Sequence, residues 1–223
     1  MRLLAIDTAG ERCSAAVAAV DSIDLILRTE TIGRGHAERL FALVAEVMAD
    51  AGLDYGQLDR IAVTVGPGSF TGLRVGIAAA RGLALATGCP VVSVGTLAAA
   101  AERARTLAGP VPVVAALDAR RDEIYAQAFA ADGAPVTEPA VGLAARFAAL
   151  IEDNAMLAGS AADVLADAAG VAADRIAHRD AAPDIASVVR LGLAAPDPDG
   201  PPRPLYLRPP DAKPSTRAAV ARR

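Results

Sequence analysis

The order of apolar segments between Arg2 and Thr106 limits the fold more than any other feature of the chain. Three short runs come first: Arg2–Asp7, Cys13–Ala19 and Asp24–Thr31. Turn-forming pairs, Gly10-Glu11 and Asp21-Ser22, separate them, and the pattern predicts an antiparallel meander of three strands. Leu40, Leu43, Val44, Val47 and Ala51 then recur at helical spacing across Ala37–Ala51, which Gly52 ends. Arg60–Val65 reads as a buried strand and Gly66–Gly72 as a glycine-rich loop. Leu73–Thr87 is a second helix, stopped by Gly88 and Pro90. Pro90–Val94 is a further strand and Thr96–Thr106 a further helix.

A meander followed by alternating helices and strands differs from a plain Rossmann pattern. It is the ribonuclease-H-like half of the actin/sugar-kinase superfold. A second half starts near Gly109-Pro110, with strands expected at Val111–Leu117, Glu123–Ala130 and Ala155–Gly159. Its helices are expected at Leu143–Ile151, Ala161–Ala169 and Ile185–Ala195, before a proline-rich stretch, Asp197–Pro204. The expected organisation is therefore a two-domain α/β chain: residues 1–108, a smaller related domain at 109–208 that reads as a truncated copy, and 209–223 as a flexible tail.

Scarce residue types exclude several chemistries. The single lysine is Lys213, so the body of the chain lacks the lysine that a P-loop or a Schiff-base enzyme needs. Two histidines, His36 and His178, and two cysteines, Cys13 and Cys89, match no zinc spacing and no disulfide scaffold. A net charge of −4 gives no overall field for gripping nucleic acid, although a local patch is not excluded. The uncharged stretch Gly82–Ala101 is broken by Gly88, Pro90, Ser93, Gly95 and Thr96, and reads as helix end, turn, strand and helix start rather than a membrane span. Met1-Arg2 leads directly into a strand with no signal-peptide pattern, so a cytoplasmic protein without membrane contact is expected.

Candidate chemistry concentrates at two places. In Gly66-Pro67-Gly68-Ser69-Phe70-Thr71-Gly72 the glycines permit close backbone approach, the following helix start offers N–H groups to an anion, and Ser69 or Thr71 can cap it. The same loop also reads as a tight strand-to-helix turn without ligand. Asp7, at the end of the first strand, is either a metal- or water-organising aspartate of this superfold or a turn former. An actin-type ATPase would need a second phosphate hairpin, and Asp118-Ala119-Arg120-Arg121-Asp122 lacks its glycines. His36 reads as a cap or loop residue, His178 as a surface residue and Cys13 as core.

The second place is the helix pair. Within Leu73–Thr87 only Arg74 and Arg81 are charged, which leaves more apolar circumference than one sheet face can cover. Gly76, Ala79, Ala80 and Ala84 would admit a crossing helix, and Phe41, Ala45 and Met48 widen the stripe of the first helix. Burial beneath the second half is one reading. The other, adopted here, is a partner interface at Phe41, Ala45, Met48, Leu73, Gly76, Ile77, Ala80, Leu83 and Ala84.

Four segments carry a family resemblance: Leu4-Ala5-Ile6-Asp7-Thr8-Ala9; the Gly66–Gly72 loop running on as Leu73-Arg74-Val75-Gly76; Leu117-Asp118-Ala119-Arg120 with Glu123-Ile124-Tyr125; and Leu205-Tyr206-Leu207-Arg208. Together they resemble the TsaB (YeaZ) family, the dimerisation subunit of the bacterial complex that makes threonylcarbamoyladenosine in tRNA. The likeness runs from Met1 to about Arg208. It implies an actin-like two-domain fold and a non-catalytic subunit that pairs with TsaD, with TsaE in the assembly and tRNA reached through the complex. TsaC would supply the threonylcarbamoyl-adenylate that TsaD uses. Whether the chain pairs with itself as a homodimer in the absence of TsaD is left open by the sequence. TsaD-type proteins hold metal in a His-rich run, whereas the matching Gly95-Thr96-Leu97-Ala98-Ala99-Ala100 offers only the Thr96 hydroxyl. No catalytic residue and no resident metal are therefore expected, and a nucleotide at the subunit boundary is the one cofactor left open. The enzyme-class alternative is a small actin-fold ATPase or kinase using Asp7, Gly66, Gly68, Ser69, Thr71 and Gly72.

Overall fold

The structure, a computed structural model, describes residues 1–19 and 25–208. The expected Asp21-Ser22 turn, Asp24, and the expected tail 209–223 lie outside the described residues. Five strands form the first sheet: β1 (Arg2–Asp7), β2 (Arg12–Ala19), β3 (Leu25–Thr31), β4 (Arg60–Gly66) and β5 (Val91–Gly95), in the order β3-β2-β1-β4-β5. β1 runs antiparallel to β2, with Asp7 opposite Ser14, and parallel to β4, with Ile6 opposite Val63. β1 and β4 are covered on both faces, which is why each reads as a continuous apolar run rather than an alternation.

Helices α1 (His36–Asp50) and α2 (Phe70–Thr87) cover one face. Leu40, Val44, Val47, Ile77 and Ala80 pack there with Leu4, Ile6, Ile61 and Val63. α2 begins three residues before the expected Leu73, because the Ser69 hydroxyl accepts a bond from the Gly72 N–H and caps the helix. Thr71 and Gly72 thus belong to the first helical turn rather than to a loop.

The second sheet repeats the first. β6 (Val113–Asp118), β7 (Glu123–Phe129), β8 (Ala140–Leu143), β9 (Met156–Ala158) and β10 (Ile176–His178) lie in the order β8-β7-β6-β9-β10, with the same two antiparallel and two parallel pairings. Its strand set is complete, not truncated as the sequence suggests. The helix expected at Leu143–Ile151 is a 3-10 segment, Ala144–Leu150. Its buried residues, Ala144 and Phe147, are three apart, the spacing that a 3-10 turn stacks on one side.

α3 (Thr96–Ala108) packs on the second sheet through Leu97, Ala100, Ala101 and Ala104. α4 (Ala162–Ala169) and the 3-10 segment cover the opposite face of that sheet. α5 (Ile185–Ala194) lies within 109–208 by sequence, yet it packs on the first sheet. There Ile185, Val188 and Val189 meet Leu3, Ala5, Ala62 and Val92. α3 and α5 touch each other and form a middle layer between the sheets. Buried Arg60 locks the returning chain by donating to the carbonyls of Gly192 and Ala195 and to Asp197 Oδ1 (2.7 Å).

His178 is not a surface residue: only 7% of its side chain is exposed. Its Nε2 donates to the Ala100 carbonyl at 2.9 Å and its Nδ1 accepts from the Asp180 N–H, which ties β10 to α3. His36 opens α1, buried, with Nε2 3.2 Å from the Arg12 carbonyl. Cys13 is core, as expected. Among the described residues no helix is long and apolar enough to cross a membrane.

Candidate protein-docking face

α1 and α2 form an outer layer, on the side of the first sheet away from α3 and α5. The sheet and helices of the second half therefore do not bury them; of that half, the closing segment around Tyr206 reaches α2. Ala37, Phe41 and Ala45 recur every four residues on the outer line of α1 and are exposed. On α2 the exposed line is Phe70, Arg74, Ala78, Arg81 and Leu85. Between the helices runs an open groove of about 520 Å³, lined by Ala37, Phe41, Phe70, Thr71, Arg74, Val75, Ala78 and Ala79. At one end the Arg74 guanidinium lies 3.9 Å from the centre of the Phe70 ring, and its Nε donates to the Tyr206 hydroxyl at 3.0 Å.

This placement corrects most of the expected interface. Phe41 and Ala45 face outward, and Leu83 and Ala84 are half-buried, but Met48, Leu73, Gly76, Ile77 and Ala80 are buried in the chain's own core. The small residues serve the approach of α2 to its own sheet. A Cβ on Gly76 would sit 2.4 Å from Thr8 Oγ1, and Ala80 is fully inaccessible. Arg74 and Arg81 lie on the outer face itself, and beside them lie Phe70, Val75 and Ala78, which the expected interface left out. Phe70 could have been found from the Ser69 cap, which starts the helix early enough to carry it.

The glycine loop and Asp7 do come together, around the ends of β1 and β4, but they bond to one another. Ser69 N–H donates to the Ala9 carbonyl at 2.7 Å, and Thr8 Oγ1 donates to the Gly72 carbonyl at 2.8 Å. A Cβ on Gly68 would fall 2.4 Å from the Ala9 oxygen, and one on Gly72 2.0 Å from the Thr8 oxygen, so backbone contact explains these glycines. Gly66 has positive φ and faces the Leu205 carbonyl. Asp7 is fully buried; its Oδ1 accepts from Thr64 Oγ1 (2.6 Å) and the Ala9 N–H (3.1 Å). Burial pushes its pKa up to about 6, against the bonds from Thr64 and Ala9 and the nearby charges of His36 and Arg12. Thr96 Oγ1 donates to the Pro67 carbonyl and so serves the same packing. Among the described residues no three or more His, Cys, Asp or Glu side chains gather as a metal would require.

In the second half, the β6–β7 turn keeps a left-handed path without glycine: Arg120, Arg121 and Asp122 have φ of 62°, 56° and 61°. The Asp118 carboxylate accepts from the Arg120 N–H at 2.6 Å and supports that path.

Among solved structures, YeaZ from Pseudomonas aeruginosa is 31% identical, with a TM-score of 0.78 over 92% of this chain and 99% of that one. The chain belongs to the TsaB (YeaZ) family. A Mycobacterium tuberculosis protein is 36% identical over 215 residues, 95% of this chain and 94% of that relative. The tRNA threonylcarbamoyladenosine biosynthesis protein TsaB of Haemophilus influenzae is 41% identical over 125 residues, 56% of this chain. The chain spans only 52% of that relative's length. Residues 29–195 also match the family model described as TsaD, tRNA N6-adenosine threonylcarbamoyltransferase. With two sheets of the same order, the architecture is the actin-like two-lobed one that the sequence predicts.

Proposed function

We propose that the chain acts in tRNA threonylcarbamoyladenosine biosynthesis as a non-catalytic subunit, and that it docks a TsaD-type transferase through the outer face of α1 and α2. The observation that carries this reading is the largely unburied apolar face itself: Phe41, Ala45, Phe70, Val75 and Ala78 lie on the outer layer, which the sheet and helices of the second half leave uncovered. Contiguous apolar surface of this kind marks an interface. The match of residues 29–195 to the TsaD family model supports a partner of the same fold, whose own helix pair would cover the face. Without that partner, a second copy of this chain would cover it.

The interior bonding of the glycine loop and Asp7 supports placing catalysis in the partner. The loop's N–H groups at Ser69 and Gly72 are already used within the chain, and the second hairpin places arginines where a phosphate-wrapping turn needs glycine. A net charge of −4 supports tRNA contact through the assembled complex, with TsaE as a further member. The test is reconstitution. Threonylcarbamoyl transfer by a TsaD-type subunit should require this chain, and calorimetric titration should give a defined heterodimer. ATP turnover by the isolated chain that is lost in Asp7→Ala, or transfer by the isolated chain, would overturn the reading in favour of the actin-fold enzyme.

A further inference from the structure

One sequence motif, Leu205-Tyr206-Leu207-Arg208, is not absorbed by either lobe's core. It forms a strap across the first lobe toward the second. Leu205 N–H donates to the Val65 carbonyl at 2.7 Å, at the end of β4. Arg208 donates to the Ala119 carbonyl at 2.9 Å and pairs with Glu123, at the base of the β6–β7 turn. Between these anchors Tyr206 faces α2. Its ring centre is 5.1 Å from that of Phe70, and its hydroxyl accepts from Arg74.

We propose that this strap is part of the docking surface, with Tyr206 as an anchoring contact for the TsaD-type partner; the inference rests on the docking face proposed above. The chain has four Phe, three Tyr and no Trp. Three of those seven aromatics, Phe41, Phe70 and Tyr206, stay 52%, 47% and 42% exposed; the first two line the groove, and Tyr206 stacks on Phe70 at its end. A core that needed Tyr206 would bury it. Tyr, Arg and Trp are the residue types that carry most interface energy, and here Tyr and Arg are held together on a ring. Both ends of the strap are fixed, so little conformational freedom is lost when Tyr206 is covered. The strap also joins the face to the second lobe, because the residue two places beyond Tyr206 is bonded to the β6–β7 turn.

The test compares Tyr206→Ala, Tyr206→Phe and the face variant Ala78→Glu, each titrated into a TsaD-type protein, with circular dichroism to confirm folding. Tyr206→Ala is expected to keep its fold and to bind about tenfold or more weakly. Tyr206→Phe keeps the ring against Phe70 but loses the bond to Arg74, and should fall between the two. Oxidative footprinting should show Tyr206 protected in the complex, which a purely structural role would not produce. Parent-like binding by Tyr206→Ala, with binding lost in Ala78→Glu, overturns the inference and leaves the docking face standing. Parent-like binding by Ala78→Glu removes the docking face itself. If Tyr206→Ala does not fold, Tyr206→Phe decides: parent-like affinity and no footprint at Tyr206 overturn the proposal.

Discussion

Ala78 and Ala80 are two residues apart on α2, which turns them about 200° from each other. Glutamate at each should therefore produce opposite failures. Ala80 is inaccessible, among Ile6, Ile61, Val63 and Ile77 in the core beneath the helix. A carboxylate there has no partner, at a cost of roughly 3–5 kcal/mol, and its extra volume adds about 1–3 kcal/mol. Against a typical stability of about 5–15 kcal/mol, Ala80→Glu should unfold the first lobe or lower its melting temperature severely. Ala78 is exposed on the groove, so Ala78→Glu should cost only a few tenths of a kcal/mol in helix propensity. Its effect should appear on binding. A charge left unpaired in a covered apolar contact costs about 2–5 kcal/mol, or roughly 30-fold to several thousand-fold in affinity. Thermal circular dichroism and calorimetric titration into a TsaD-type protein read the two effects separately. A stable Ala80→Glu variant that binds weakly, beside an Ala78→Glu variant that binds like the parent, would mean that the outward face of α2 has been assigned backwards.

Three further predictions concern the interior and the turn. Asp7 has a folded pKa of about 6 against an ordinary 3.8, so the folded state takes up its proton first as pH falls. The ionised carboxylate carries a net cost of about 3 kcal/mol above pH 6, after the bonds from Thr64 and Ala9 have offset part of its burial, and that cost is relieved as pH drops from about 6 toward 3.8. Denaturant melts of Asp7→Asn across this window should lack this contribution; a pH slope identical to the parent's would refute it. Arg120→Gly should raise stability by about 1 kcal/mol, since glycine adopts positive φ without the penalty that Arg120 bears; an unchanged or lower midpoint in urea would contradict the strain assigned to the turn. Arg60→Met removes the donor to Gly192, Ala195 and Asp197, and should destabilise by about 2–4 kcal/mol through the stranded carbonyls; a loss below about 0.5 kcal/mol in thermal unfolding would count against the lock.

Much of the first lobe was legible because its signals are local. Arg2–Asp7 and Arg60–Gly66 are continuous apolar runs, and Gly52 and Gly88 stop their helices where the periodicity ends. In the second lobe, β8 and β10 are four and three residues long, too short to set up a period, so only their pairing with β7 and β9 defines them. The candidate site was legible in its elements and not in its face. α2 is apolar over most of its circumference, so its pattern does not choose which side meets the sheet. Gly76 and Ala80 fit a close neighbour of either kind, a partner helix or the chain's own strands.

The sequence by itself carried the family resemblance, the succession of strands and helices along the first lobe and the turn-forming residues at the ends of β1 and β4. Local signals are enough for the elements and turns: strand and helix periodicity, a serine cap and glycines at close approaches. Only the tertiary structure decided that α5 returns to the first sheet, that α1 and α2 remain an outer layer and that Tyr206 stacks on Phe70. Arg60 meets Ala195 across 135 positions and Tyr206 meets Arg74 across 132. Contacts that distant depend on how whole layers settle against one another, and no local periodicity encodes which layer a helix will cover.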